Sequence, residues 1–152
     1  MNIAGKTRAP WHLWVVGVVS LLWNAFGAND YTQTQLGNRE YFDSMMDGMG
    51  VSPAEALAYF EGFPDWADAF WALGVWGALV GSLLLLLRTR FAVWAFAVSL
   101  LGLAGTTVYQ IVSEPPEWTQ GTMNTVMSII IWSIATFLLI YAISMRRKGV
   151  LR

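Results

Sequence analysis

Cysteine is absent from this chain, histidine occurs once, at His12, and no ionisable side chain falls at the centre of any of its long apolar runs. Without cysteine there is no disulfide, thiolate nucleophile, Cys-ligated metal or thiol relay. One histidine builds neither a multi-histidine metal site nor a paired haem ligation. Glycine-rich phosphate loops, HExxH and GxSxG are missing as well. No basic stripe with interleaved aromatics is present, so nothing points to nucleic acid. Most catalytic classes are thereby removed, no cofactor is expected, and the chain is not read as an enzyme.

What fills the 152 residues is hydrocarbon. Four apolar stretches cover 11–28, 66–87, 91–112 and 122–145. Each is close to the ~20 residues that a helix needs to cross a ~30 Å hydrocarbon core. The pattern predicts one all-α domain, a four-helix transmembrane bundle with an outer loop over 29–65. The first stretch shares a basic start and small residues with signal peptides. Its length, and the presence of Trp11, Trp14, Trp23 and Asn24, read instead as a retained helix.

Charge orients the bundle. Lys6 and Arg8 precede the first stretch, Arg88 and Arg90 separate the second from the third, and Arg146, Arg147, Lys148 and Arg152 follow the fourth. Only Arg39 lies elsewhere. Asp30, Glu40, Asp43, Asp47, Glu55, Glu61 and Asp65 fall in the first loop, and Glu114 and Glu117 in the third. Lys and Arg are retained on the cytoplasmic side, which predicts cytoplasmic termini in a bacterial inner membrane. The net charge of −1 conceals this asymmetry. The partners expected are membrane lipids and, through helix contacts, a second copy or another membrane protein.

The outer loop carries its own signals. Ser52-Pro53-Ala54-Glu55 reads as a capping box with proline at the first helical position. Leu57, Tyr59, Phe60 and Phe63 then form an apolar face, and Gly62 with Pro64 ends it. A short amphipathic helix is predicted. Before it, Tyr41, Phe42, Met45, Met46 and Met49 alternate with acids. They read as a cap over the helix ends, or as an adaptable Met-rich contact surface.

Small residues recur at helical spacing: Gly17, Ser20, Asn24 and Gly27; Gly74, Gly77 and Gly81; Ala95, Ser99, Gly102, Thr106 and Tyr109; Thr125, Ser133 and Thr136. Such stripes let backbones approach and drive association in lipid. Leucine runs such as 83–87, Leu85 included, are expected to face lipid.

Polar groups within the stretches concentrate in the outer half: Asn24, Thr106, Thr107, Tyr109, Gln110, Asn124 and Thr125, with Asp30 and Tyr31 just beyond. Asn24, Asp30, Tyr31, Tyr109 and Gln110 are the candidate ligand-binding residues of an outward-opening pocket. The plainer account makes them interhelical hydrogen bonds of ~1 kcal/mol or less each. Asp65 and Asp68 stand three apart, on one face of a helix start. They favour the helix dipole there or, with Asp30, serve a cation or proton. His12 is expected at the membrane interface.

The runs Trp11-His12-Leu13-Trp14-Val15-Val16-Gly17 and Leu22-Trp23-Asn24-Ala25-Phe26-Gly27 carry a resemblance. So do Asp30-Tyr31 with Thr34-Gln35, Ala58-Tyr59-Phe60-Glu61-Gly62-Phe63-Pro64, Ala72-Leu73-Gly74-Val75-Trp76-Gly77 and Arg146–Arg152. With these segments the chain resembles a family of short four-helix bacterial inner-membrane proteins commonly labelled sugar transporters. The resemblance covers nearly the whole chain and implies a carrier, but brings no assigned site residues. A proton-coupled carrier keeps an ionisable group deep in the membrane, and none is present. The function expected is therefore a non-enzymatic membrane protein acting through helix contacts, as accessory subunit or homo-oligomer. The alternative is a small carrier of a neutral solute such as a sugar, working as a parallel oligomer.

Overall fold

Six α-helices and one 3-10 turn make up the computed structural model, which describes residues 8–152, and no strand occurs among the described residues. They are α1 (Trp11–Gln35), α2 (Arg39–Met46), α3 (Pro53–Glu61), α4 (Asp65–Leu86), α5 (Phe91–Val112), the turn Glu117–Gln120, and α6 (Thr122–Arg147). Helices α1, α4, α5 and α6 are long and apolar enough to cross a membrane, which makes this an integral membrane protein of four-helix type. Lys6, one of the basic residues used for orientation, lies outside the described residues.

Helix α1 continues to Gln35, past the apolar stretch that ends at 28. Its last turns are polar but satisfy themselves. Thr32 and Thr34 donate to the carbonyls of Ala28 and Asp30 at 2.7 and 2.8 Å, and Gln33 donates to Asn29 at 3.3 Å. The helix stops where Gly37 turns to φ +61°, which only glycine adopts at no steric cost. There the amide of Asn38 bonds the Gln33 carbonyl at 3.1 Å and that of Gly37 bonds Thr34 at 3.0 Å, closing a Schellman-type end. The Asn38 side chain then accepts from the Tyr41 amide at 3.2 Å and starts α2, a helix that the acid-rich 38–50 segment does not signal. Helix α3 begins as its motif predicts, with Ser52 Oγ accepting from the Glu55 amide at 3.2 Å.

The long helices pack in a chain of neighbours. Helices α4 and α5 form an antiparallel hairpin along their length, α1 lies on α4, and α6 on α5. Glycine makes the hairpin close. A Cβ on Gly77 would sit 3.0 Å from the Ser99 amide nitrogen and 3.1 Å from the Ala95 carbonyl. One on Gly81 would enter the Phe96 ring, and one on Gly102 would overlap the Gly74 backbone. Ser99 Oγ donates to the Gly74 carbonyl at 2.6 Å across the same seam. On α1, Gly17 makes room for the Leu86 side chain, and buried Ser20 donates back to the Gly17 carbonyl at 3.1 Å.

The two ends of the bundle differ. At the basic end, Leu13, Leu85, Phe96, Leu138, Ala142 and Met145 form an apolar core. The segment after α6 turns at Gly149 (φ +70°), buries Val150 and Leu151 in that core, and lays Arg152 beside the α4–α5 connection. There the Arg90 amide donates to the Arg152 carbonyl at 2.7 Å, and the Arg152 amide to the Arg88 carbonyl at 2.8 Å. Leu85 is therefore a core residue and not lipid-facing: α1, α6 and the 150–151 segment converge on it, while Leu83 and Leu87 remain exposed. At the acidic end α6 stands away from the bundle. Every residue from 121 to 131 is exposed, and so are Ser133 and Thr136. The Thr125, Ser133 and Thr136 stripe is thus exposed among the described residues, because α6 joins the core only in its basic half.

The α4–α5 seam yields a clear expectation. Gly102→Ala, and more so Gly77→Leu, forces two backbones apart, and overpacking of this kind costs ~1–3 kcal/mol. Gly27→Ala meets nothing within 4 Å. It removes a helical glycine at no steric cost, worth about 0.4–1 kcal/mol of added stability. Thermal unfolding in mild detergent distinguishes them, and equal midpoints for Gly102→Ala and Gly27→Ala would show that this seam does not hold the bundle.

Candidate functional site

Asp30 and Tyr31 follow one another on α1 and so point ~100° apart around the helix. They reach different neighbours. The Asp30 carboxylate accepts from the Tyr41 hydroxyl at 3.0 Å, tying α1 to α2. The Tyr31 hydroxyl donates to Asp68 at 3.4 Å, and Gln35, one turn further on, donates to the other Asp68 oxygen at 2.6 Å, tying α1 to α4. Asn38 donates to Gln33 at 2.8 Å and extends the network to the α1–α2 corner. Asp68 is thus engaged by α1, whereas Asp65 is exposed.

An aromatic cluster lies beside this network. The Tyr31 ring meets Trp71 edge-on at 4.9 Å, and Trp71 contacts Phe60 at 5.4 Å and Phe63 at 5.9 Å. Phe63 stands 4.7 Å from Tyr109, which also meets Trp66 at 5.5 Å. Tyr59 meets Trp118 at 5.5 Å. These rings join α1, α3, α4, α5 and the 3-10 turn, and each well-set pair adds ~0.5–1.5 kcal/mol beyond its buried area. Phe42, Ala56 and Leu57 form a small core between α2 and α3. The segment between α1 and α4 is a cap at the acidic end, with Met45 and Met49 left on its surface.

The five residues expected to line a pocket do not share one. Asn24 is buried and donates to Ser82 Oγ at 2.9 Å and to the Ala78 carbonyl at 3.2 Å. Ser82 lies one turn from the end of α4, toward the basic end of the bundle. Tyr109 lies in the last turn of α5, at the acidic end. Since Gly81 packs on Phe96, the separation from Asn24 to Tyr109 is about 20 Å along the axis at ~1.5 Å per residue. The outer depth expected for Asn24 is corrected accordingly: α1 runs 25 residues, and Asn24 sits near its middle. Gln110 is exposed. Asn24 is interhelical glue, Tyr109 belongs to the aromatic cap, and Asp30 and Tyr31 are cap tethers.

Other candidates resolve similarly. Among the described residues no group of three or more His, Asp or Glu side chains is placed to hold a metal. His12 Nδ1 meets the Tyr141 hydroxyl at 2.5 Å and links α1 to α6 at the basic end. Two shallow surface cavities of about 320 Å³ each lie elsewhere. One is lined by Asp43, Met46, Asp47, Gly48, Gly50, Val51, Ser52 and Pro53. The other is lined by Leu87, Arg88, Thr89 and Arg152. Ser82, Tyr41 and Tyr141 carry these contacts without any local sequence signal, since their partners come from other helices. Comparison with family models, curated proteins and solved structures gives no match.

The Asp30–Tyr41 tether has a signature in pH. Burial, then the charge of Asp30 and its hydrogen bond, push the Tyr41 phenol from 10.0 up to about 12. A group raised in the folded state stabilises fully below its unfolded value and loses that contribution as pH rises through the folded one. The cap should therefore loosen between pH 10.0 and about 12. Ultraviolet titration of the phenolates should show a late-titrating tyrosine that disappears in Tyr41→Phe and moves earlier in Asp30→Asn. An unchanged curve in Asp30→Asn would remove the tether.

Proposed function

We propose that this chain is a non-enzymatic membrane protein that works through helix contacts, as a homo-oligomer or as an accessory subunit of another membrane protein. We place it in a bacterial inner membrane with both termini cytoplasmic. The observation that supports this reading is the free outer half of α6. Residues 121–131 are all exposed, tied near their start to the 3-10 turn by Asn124 donating to the Trp118 carbonyl at 2.8 Å; they include Thr125 and Ser128, and Ser133 and Thr136 continue the exposed polar set. Thr125 and Ser133 bond back to the carbonyls of Gly121 and Ile129, at 3.3 and 2.7 Å, so their polarity is met locally. Small hydroxyl residues on an exposed membrane face suit close approach by a second helix. Transport is less well supported. A carrier needs a polar route through the basic half, and that half is filled by Leu13, Leu85, Phe96, Leu138 and Met145.

The lack of native cysteine makes the test clean. Ser128→Cys on α6 should give disulfide-linked dimers, or a linked partner, on oxidation in native membranes, while Val18→Cys on α1 should not. A chain that is monomeric and partnerless by native mass spectrometry in mild detergent, with no cross-link at Ser128, would reject the reading. Saturable sugar uptake by proteoliposomes would replace it with the carrier. A periplasmic reporter fused at Gly48 should be active and one after Arg152 silent.

A further inference from the structure

The basic end holds chemistry that the helix-contact reading does not use. Seven described cations gather there: Arg8, Arg88, Arg90, Arg146, Arg147, Lys148 and Arg152. All ten Asp and Glu residues belong to the loops and helix ends of the opposite face. Among those cations the structure forms a cavity of about 320 Å³, lined by Leu87, Arg88, Thr89 and Arg152. Its walls are held largely by main-chain hydrogen bonds. Arg88 is held at φ +58°, Arg88 and Arg90 pair with Arg152 through main-chain bonds of 2.8 and 2.7 Å, and Arg88 Nε donates to the Val150 carbonyl at 3.2 Å. The Thr89 hydroxyl is buried without a hydrogen-bond partner, although its residue lines the cavity. A buried donor left unpaired costs free energy, and an anionic oxygen reached by rotation of χ1 would relieve it.

The surroundings of the cavity decide what kind of anion fits. Leu87, which lines it, is 70 % exposed; Phe91 and Trp94, which follow Thr89 in sequence and stand one turn apart on α5, are 58 % and 64 % exposed. Cationic groups at the membrane surface, with an apolar strip descending from them, match a phosphate head group with acyl chains attached. A free phosphate uses the cations and ignores the strip.

We propose that this cavity is a binding site for the phosphate head group of an anionic phospholipid, with its chains against Leu87, Phe91 and Trp94. Arg152 and the Thr89 hydroxyl face the phosphate, and the backbone-paired segment 150–152 holds Arg152 in place. Basic groups just outside a membrane span attract anionic lipid generally. The cavity adds a defined position to that attraction.

The test uses the full chain in mild detergent, with phosphatidylglycerol and phosphatidylcholine of equal chain length, read by native mass spectrometry. The wild type should retain phosphatidylglycerol in preference, at one lipid per chain. Arg152→Gln and Thr89→Val should each lower that retention, the first about fivefold, the scale of one cation lost at a membrane surface. Arg147→Gln removes the same charge away from the cavity and should change retention much less. Circular dichroism of each variant should match the wild type, because the altered side chains make none of the backbone bonds. Equal retention of the two lipids overturns the proposal, as does an equal fall in Arg147→Gln and Arg152→Gln, which marks diffuse attraction without a site. Displacement of the lipid by millimolar inorganic phosphate also overturns it, in favour of a free-phosphate site.

Discussion

Helices in hydrocarbon gain nothing from burying more hydrocarbon, so their association rests on how closely their backbones can approach. In this protein that approach is concentrated in the α4–α5 seam, where a Cβ on Gly102 would overlap the facing backbone and one on Gly77 would meet it at 3.0 Å. The other two long helices are packed on that hairpin. Helix α1 lies on its α4 side, fastened by Gly17 under Leu86 and by Asn24 on Ser82. Helix α6 lies on its α5 side and meets α1 through the His12–Tyr141 pair. A wider seam would displace both flanking helices, since they touch each other mainly at the basic end.

The two ends of the hairpin are closed by different physics. At the basic end the closure is apolar and backbone-paired: Val150 and Leu151 enter the core, and Arg152 is bonded across the Arg88–Arg90 turn. At the acidic end it is polar and aromatic. Two carboxylates accept from tyrosine and glutamine, and rings from the loop helices rest on Trp71 and Tyr109. Charge separation follows from the same division. All the acids and, apart from Arg39, all the described cations lie a helix length apart at opposite ends.

Features with a local cause were legible in the sequence. Four apolar stretches, the Ser52 cap and the glycine spacing each depend on residues within a few positions of one another, and each has its structural counterpart. Features with a tertiary cause were not. The end of α1 was placed too early because polar residues 29–35 look like loop, whereas Thr32 and Thr34 bond back along the helix and Asp68 gives Tyr31 and Gln35 a partner from α4. With α1 running to Gln35, Asn24 lies near the middle of its helix and Tyr109 in the last turn of α5, on different levels. Leu85 is buried although it stands in a leucine run, because hydropathy does not separate a leucine facing lipid from one facing protein.

The same ambiguity bears on α6. Its basic half is packed, and its acidic half, which carries the hydroxyl residues Thr125 and Ser128, is bare. A soluble helix in this position would be unstable, because water penalises the exposed isoleucines. A bilayer does not, and the helix keeps all its backbone hydrogen bonds wherever it stands. The cost of leaving α6 unpacked is therefore only the packing forgone, and another helix can recover it. Hydroxyl residues on that face sharpen the point. They contribute no hydrophobic match to lipid, Thr125 and Ser133 bond back to the carbonyls of Gly121 and Ile129, and their small size allows an approach that leucine would prevent. What distinguishes this half of the helix from an ordinary lipid-facing surface is that combination, and it is why the helix-contact reading is placed on α6 and not on the equally exposed valines of α1.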